Sequence, residues 1–306
     1  MPLYQGVVPP VVTPLTENFE VDYASLTRTI DYLIEGGVHG LFVLGSTSEV
    51  VFHDADTRRK IIEHAVKQVN GRLPVLAGVI DPATDRVIQH ARIAQSAGAQ
   101  GVVVTAPFYT RTNQAETIYH FRYVRDALDI GVIAYDIPVC VNLKLDRATT
   151  VTLAREGTIA GLKDSSGDDG NLRYVLADMK GHPDFFAMTG SEIVVDGVLA
   201  MGAHGVVPGL ANVDPAGYVK LYNLCRAGDF AAARVEQERL CRLFEIVRIS
   251  LGRTSAGSAG VGAFKTAMVS LGVIAGNTMA RPQRSLNAGE RAQVDVILRE
   301  TGLLGR

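Results

Sequence analysis

Thr158-Ile159-Ala160-Gly161-Leu162-Lys163-Asp164-Ser165-Ser166-Gly167-Asp168 is an apolar run that ends in a lysine and passes at once into a small polar loop. Read as a strand, it leaves the Lys163 amine at its carboxyl end, where the backbone turns. One strand–helix repeat upstream, Gly131-Val132-Ile133-Ala134-Tyr135 runs into Asp136-Ile137-Pro138 in the same manner. In parallel α/β architectures the active site lies at the carboxyl ends of the strands. Adjacent strands of this kind set a lysine beside a tyrosine, a pairing suited to amine chemistry on a carbonyl compound.

The same alternation extends in both directions. Residues 6–13, 40–44, 74–79, 101–105, 131–135, 159–163, 185–189 and 205–208 read as strands. Between and after them, 22–35, 56–69, 84–97, 114–128, 147–155, 171–179, 193–201 and 214–226 have helical length and apolar periodicity. The strands are continuous apolar runs, as expected where both faces are buried. Pro9 and Pro10 weaken the first, because proline cannot donate to a ladder. Eight such units predict a closed (β/α)₈ TIM barrel over residues 1–226, carrying the active site. An open doubly wound sheet competes, but its usual Gly-x-Gly-x-x-Gly turn after the first strand is missing. Residues 227–306 read as a C-terminal helical appendage, with helices at 229–247, 262–271 and 289–300. No low-complexity linker precedes them, so they are expected to pack on the barrel.

Composition narrows the function. The 306 residues, 47% hydrophobic and 20% charged, are those of an ordinary globular chain. A net charge of −2 gives no reason to expect nucleic acid or an anionic membrane as partner. No apolar stretch approaches the roughly 20 residues of a membrane span. Met1-Pro2-Leu3-Tyr4-Gln5-Gly6 lacks the basic-then-apolar order of a signal peptide. Cys140, Cys225 and Cys241 are odd in number and far apart, which fits a cytoplasmic chain without disulfides. The histidines show no metal-ligand spacing, so no metal site is expected.

Several residues are suited to the chemistry. Lys163, partly desolvated at a barrel rim, is a candidate Schiff-base nucleophile. Tyr135 is a candidate proton donor and acceptor, on a loop stiffened by Pro138. Gly45-Ser46-Thr47-Ser48-Glu49 offers hydroxyls and backbone N–H groups in one turn, suited to a carboxylate. The plainer reading is a loop with helix-capping serines. No glycine–lysine pair closes it as a Walker motif. Tyr109, at the exit of the fourth strand, reads alone as a surface or interface tyrosine. Gly190-Ser191-Glu192 reads alone as a capped helix start.

In order along the chain, Gly45-Ser46-Thr47-Ser48-Glu49, Pro107-Phe108-Tyr109, Tyr135-Asp136-Ile137-Pro138, Gly161-Leu162-Lys163-Asp164-Ser165-Ser166-Gly167, and Phe264-Lys265-Thr266-Ala267 with Arg281-Pro282 occur at matching positions. Together they make the chain resemble the dihydrodipicolinate synthase / N-acetylneuraminate lyase family of pyruvate-dependent class I aldolases. The resemblance implies that Lys163 forms a covalent imine with pyruvate or another 2-keto acid, with no further cofactor. It implies that Tyr135 shuttles the proton, that Ser46 hydrogen-bonds Tyr135, and that Tyr109, lent by a neighbouring subunit, extends the relay. A homotetramer built as a dimer of dimers follows. Ser46 and Thr47 are the implied carboxylate binders, Val207 a lining residue of the pyruvate pocket, and Ser165, Gly190 and Glu192 further substrate-binding candidates. The family's synthases carry an arginine shortly after the tyrosine–proline motif; here Cys140 takes its place, and the nearby cation is Lys144. Ser48 replaces a usual glycine and Asp136 a usual asparagine. The expected substrate is a hydroxylated 2-keto acid, such as a 2-keto-3-deoxy sugar acid or 4-hydroxy-2-oxoglutarate. A synthase using another cation, and a keto-acid sensor, are the alternatives.

Overall fold

The computed structural model describes residues 4–305, so the first residues of the stretch read for a signal peptide lie outside it. Eight strands run in parallel: β1 (Gly6–Val7), β2 (Leu41–Val43), β3 (Val75–Gly78), β4 (Gly101–Thr105), β5 (Gly131–Asp136), β6 (Gly161–Asp164), β7 (Phe186–Thr189) and β8 (Gly205–Val206). Their order, β1-β8-β7-β6-β5-β4-β3-β2, follows the chain around a ring. Regular pairing of the first strand stops at Val7, short of the expected 6–13. Pro9 and Pro10 have no N–H to give, but the segment still seals the barrel. Val7 O accepts from His39 N at 2.8 Å, Pro9 O from Phe42 N at 3.0 Å, and Phe42 O from Val11 N at 2.8 Å. On the other side, buried Asn212 accepts from Val12 N at 3.1 Å and donates to Pro10 O at 2.9 Å.

The ring helices are α1 (Tyr23–Glu35), α2 (Ala55–Val69), α3 (Thr84–Ser96), α4 (Gln114–Asp126), the four-residue α5 (Pro138–Val141), α6 (Arg147–Arg155), α7 (Asp169–Asp178), α8 (Val195–Ala200) and α9 (Pro215–Arg226). Aspartates begin many of them: Asp22, Asp54, Asp146, Asp168 and Asp214 each accept a backbone N–H three residues on. The short α5, and 3₁₀ turns at Ser46–Ser48, Val50–Phe52 and Gly209–Asn212, fall where loops were expected. Each is too brief to show a hydrophobic period in sequence.

Beyond the barrel lie α10 (Phe230–Phe244), α11 (Ala256–Ser270) and α12 (Ala288–Glu300). They are bolted to it by buried polar contacts. Arg239 pairs with Asp214 and Glu236, and Gln237 accepts from Val195 N at 2.9 Å. The strongest bolt is Lys265 on α11, fully buried, which pairs with Glu49 of the turn after β2. Lys265 also donates to Thr278 O at 2.9 Å, and the second Glu49 oxygen accepts from Ala280 N at 2.7 Å. Removing one member of such a pair leaves a buried charge without its counter-ion. Lys265→Met is therefore expected to cost roughly 3–5 kcal/mol in denaturant unfolding. Adding Glu49→Gln should recover part of that loss.

Candidate active site

Parallel pairing sets Thr105, Tyr135, Lys163 and Met188 in one row across β4, β5, β6 and β7. Register-matched residues of parallel neighbours point to the same face, so these side chains share one layer. Lys163 and Tyr135 are 4% and 3% exposed. The Lys163 Nζ stands 3.9 Å from the Tyr135 ring centroid and 4.9 Å from that of Phe42. Phe42 meets Tyr135 edge-on, with centroids 6.5 Å apart. Among the described residues the Lys163 ammonium makes no hydrogen bond and no ion pair within 4 Å, the nearest anionic group it acts on being Glu192. Aromatic faces offer an ammonium only partial compensation for lost water. Lys265, equally buried, has a carboxylate; Lys163 has none.

The 45–49 turn borders this layer. Leu44 and Glu49 flank it with φ of 57° and 58°, a left-handed conformation that non-glycine residues adopt only when the surroundings enforce it. The buried Glu49–Lys265 pair supplies that enforcement. Ser46 is exposed and Thr47 half-buried, so both face the mouth. Ser48, in place of the usual glycine, is buried; its hydroxyl donates to Val11 O and accepts from Gly45 N at 3.2 Å. The expected Ser46–Tyr135 hydrogen bond is not formed within this chain, because Ser46 lies on the outer side of the turn. Tyr109, with φ of 67° and 98% exposure, makes no bond to Tyr135 of its own chain either.

Opposite this turn, Glu192 follows β7. Its backbone oxygen accepts from Gln237 Nε2 at 2.9 Å and Tyr218 Oη at 3.2 Å. One carboxylate oxygen accepts from Gly209 N at 2.9 Å, and the residue's own backbone N–H also reaches the carboxylate. Burial pushes the Glu192 carboxyl up to about 7, against the Gly209 amide and the charge of Lys163. Gly190 permits a close approach: a Cβ there would lie 1.9 Å from Ser165 Oγ and 3.3 Å from Lys163 Cε. Ser165 is half-buried beside it, and Val207 is buried just past β8.

Lys144 does not replace the missing arginine. Its ammonium pairs with Asp136, 1% exposed, and donates to Leu145 O at 3.1 Å. Burial raises the Asp136 carboxyl, with Lys144 and the Leu145 amide opposing. The neighbouring Asp164 spends one oxygen on Ser166 N at 2.8 Å and leaves the other buried without a partner. Sequence reasoning missed Phe42, Thr105 and the Glu49–Lys265 contact. Phe42 read as core and Thr105 as a strand end. Glu49 and Lys265 are too distant along the chain to signal their contact.

A cavity of about 490 Å³ opens beside Ser46, Thr47, Thr105 and Cys140. A larger cleft of about 680 Å³, near Arg173, Phe185 and His204, lies at the opposite end, away from these groups. Chemistry in such barrels sits at the carboxyl rim. No group of three or more His, Cys, Asp or Glu that could hold a metal occurs among the described residues. No helix among them is long and apolar enough to cross a membrane.

Fold and site together define a (β/α)₈-barrel enzyme with its reactive groups at the carboxyl rim. The chain belongs to the dihydrodipicolinate synthetase family, whose model it matches over residues 3–301, and it is a lyase of that family's aldolase type. It is 34% identical over 299 residues to an uncharacterised DapA-like lyase of Halobacterium salinarum, covering 98% of this chain and 94% of the relative. It is 29% identical over 303 residues to the 4-hydroxy-tetrahydrodipicolinate synthase of Phenylobacterium zucineum, covering 99% of each. Among solved structures it is similar to YagE, a prophage protein of this family from E. coli K12 in complex with pyruvate. That likeness has a TM-score of 0.92 and 29% identity, covering 99% of this chain and 100% of YagE.

The Glu192 shift has a testable sign. Its usual value is 4.5 and its value in the fold about 7, so the fold favours the neutral acid. That contribution is fully present below about pH 4.5 and is lost as pH rises through 7. Calorimetry should show the wild-type Tm falling between pH 5 and 8 more steeply than that of Glu192→Gln, with the variant gaining relative stability at pH 8.

Proposed function

We propose that Lys163 adds to the ketone of pyruvate, or of a 2-keto acid, and forms an imine. The observation that carries this reading is a buried lysine with no counter-ion, packed against a tyrosine ring in the same layer. A buried amine without an anion costs stability, and is retained where its nucleophilicity is used. Amine and ketone combine with loss of one water. Loss of a C3 proton then yields an enamine, whose C3 attacks an aldehyde carbon. Tyr135 gives its hydroxyl proton to the aldehyde oxygen, which becomes the C4 hydroxyl, and recovers a proton when the imine is hydrolysed. Cleavage is the reverse. Thr47 and Ser46 take the keto-acid carboxylate, and no cofactor beyond the covalent imine enters. The pyruvate complex of YagE supports the keto-acid half.

The product class we propose is a hydroxylated 2-keto acid, the class to which 2-keto-3-deoxy sugar acids and 4-hydroxy-2-oxoglutarate belong. Glu192 and Ser165, close to Lys163, support recognition of a polar product. A 4-hydroxy-tetrahydrodipicolinate synthase is the second reading, favoured by relatives of that name. Cys140 in the arginine's place and Lys144 engaged by Asp136 speak for the first. The proposal includes a cytoplasmic homotetramer, a dimer of dimers in which the protruding Tyr109 reaches a neighbour's site.

Borohydride reduction with pyruvate, followed by peptide mapping, is expected to place a reduced adduct on Lys163. Lys163→Ala should lose both adduct and turnover. Tyr135→Phe should keep the adduct and lower kcat by ~10²–10⁴.

A further inference from the structure

We propose that the aldehyde half of the substrate is uncharged and largely apolar, and that it occupies the cavity between the 46–52 turn, α5 and the first half of α11. This inference rests on the lysine-imine reading and goes beyond it, because the resemblance leaves the aldehyde open.

The cavity borders the proposed imine site. Ser46 and Thr47 line it, as does Thr105, the register partner of Tyr135. Cys140 forms part of its wall and feels the charge of Lys163. Its volume of about 490 Å³ falls within the roughly 300–1,000 Å³ usual for small-molecule sites. Phe52, Ile80, Phe108, Ile137, Val141 and Val261 supply most of the lining. A hydrocarbon or aryl group placed there is removed from water at a gain proportional to its area.

Charge decides the rest. Among the described residues of this chain, Glu49 is the only charged lining residue, and it is already neutralised by Lys265 and the Ala280 amide; none of those residues that line the cavity is a lysine or arginine. The nearest candidates are engaged: Lys144 on Asp136, and Arg58 on the carbonyls of His53 and Ile80 at 2.9 and 3.0 Å. A second carboxylate brought here would lose its water and find no cation. That disfavours 4-hydroxy-2-oxoglutarate and aldehydes carrying an acid group. A polyol tail would find few partners, because only two lining side chains hold buried polar atoms without a bond, Thr105 Oγ1 and Gln283 Oε1. They suffice for one hydroxyl. Thr105, one strand from Tyr135 and two from Lys163, is placed for the C4 hydroxyl that the aldol step creates. The fitting substrates are 4-hydroxy-2-oxo acids bearing a branched alkyl or aryl group at C4.

The test is condensation of pyruvate with benzaldehyde, isovaleraldehyde, D-glyceraldehyde and succinic semialdehyde, alongside borohydride trapping on the same protein. Benzaldehyde or isovaleraldehyde should exceed both others in kcat/KM by ~10-fold or more. Val261→Asp should lower kcat/KM for the apolar aldehydes roughly tenfold more than for glyceraldehyde. Cys140→Arg, on the exposed face of α5, gives a second reading that does not disturb the core. It should raise the rate with succinic semialdehyde relative to benzaldehyde. An adduct on Lys163 together with preference for glyceraldehyde or succinic semialdehyde, or with no aldehyde consumed, overturns the apolar assignment and leaves the imine reading intact. Absence of the adduct overturns both.

Discussion

The register between β5 and β6 is the constraint on which the site depends. Tyr135 pairs with Lys163, and Thr105 pairs with Tyr135. In a parallel barrel, matched residues share a face, so one register sets the lysine, the tyrosine and the unpartnered Thr105 hydroxyl in a single layer. A slip of one residue would turn the whole set away from the barrel interior. The register is secured by buried strands that are apolar up to their carboxyl ends, and by closure of the ring through Pro9, Val11 and Asn212.

Two buried lysines show how environment divides labour among identical side chains. Lys265 has a carboxylate, a carbonyl and no solvent; it is a fastener. Lys163 has two aromatic faces and no ion-pair partner of its own. The fastener serves the reactive residue indirectly. Glu49 closes the turn that presents Ser46 and Thr47, and its left-handed backbone persists because its carboxylate is gripped from α11. The C-terminal helices are thus part of the site's construction. Gln237 holds the Glu192 backbone in the same way, and Val261 walls the cavity.

Charge balance around the mouth also separates this chain from a simple copy of the synthase pattern. Asp136 puts a carboxylate into a buried position, and Lys144 answers it across a short loop. The cation nearest the missing arginine is thereby consumed inside the protein. The cavity keeps apolar walls and a neutralised Glu49.

The sequence by itself determined the barrel, the order of its units and the placing of Lys163 and Tyr135 at adjacent strand ends. Each rests on local pattern: apolar runs of strand length, aspartate caps, and side chains placed at the last residue of a run. Arg147–Arg155 and Gly101–Thr105 coincide with their expected limits for that reason. Residues 6–13 did not, because prolines replace regular pairing by isolated bonds. Only the tertiary structure decided what meets what. The Glu49–Lys265 pair, the Phe42 ring under the amine, the engagement of Lys144 and the bareness of Lys163 join residues from separate units or depend on what is missing nearby. Local pattern encodes the direction in which a side chain leaves its strand; the identity of the group it finds there is set by closure of the ring, which no single segment contains.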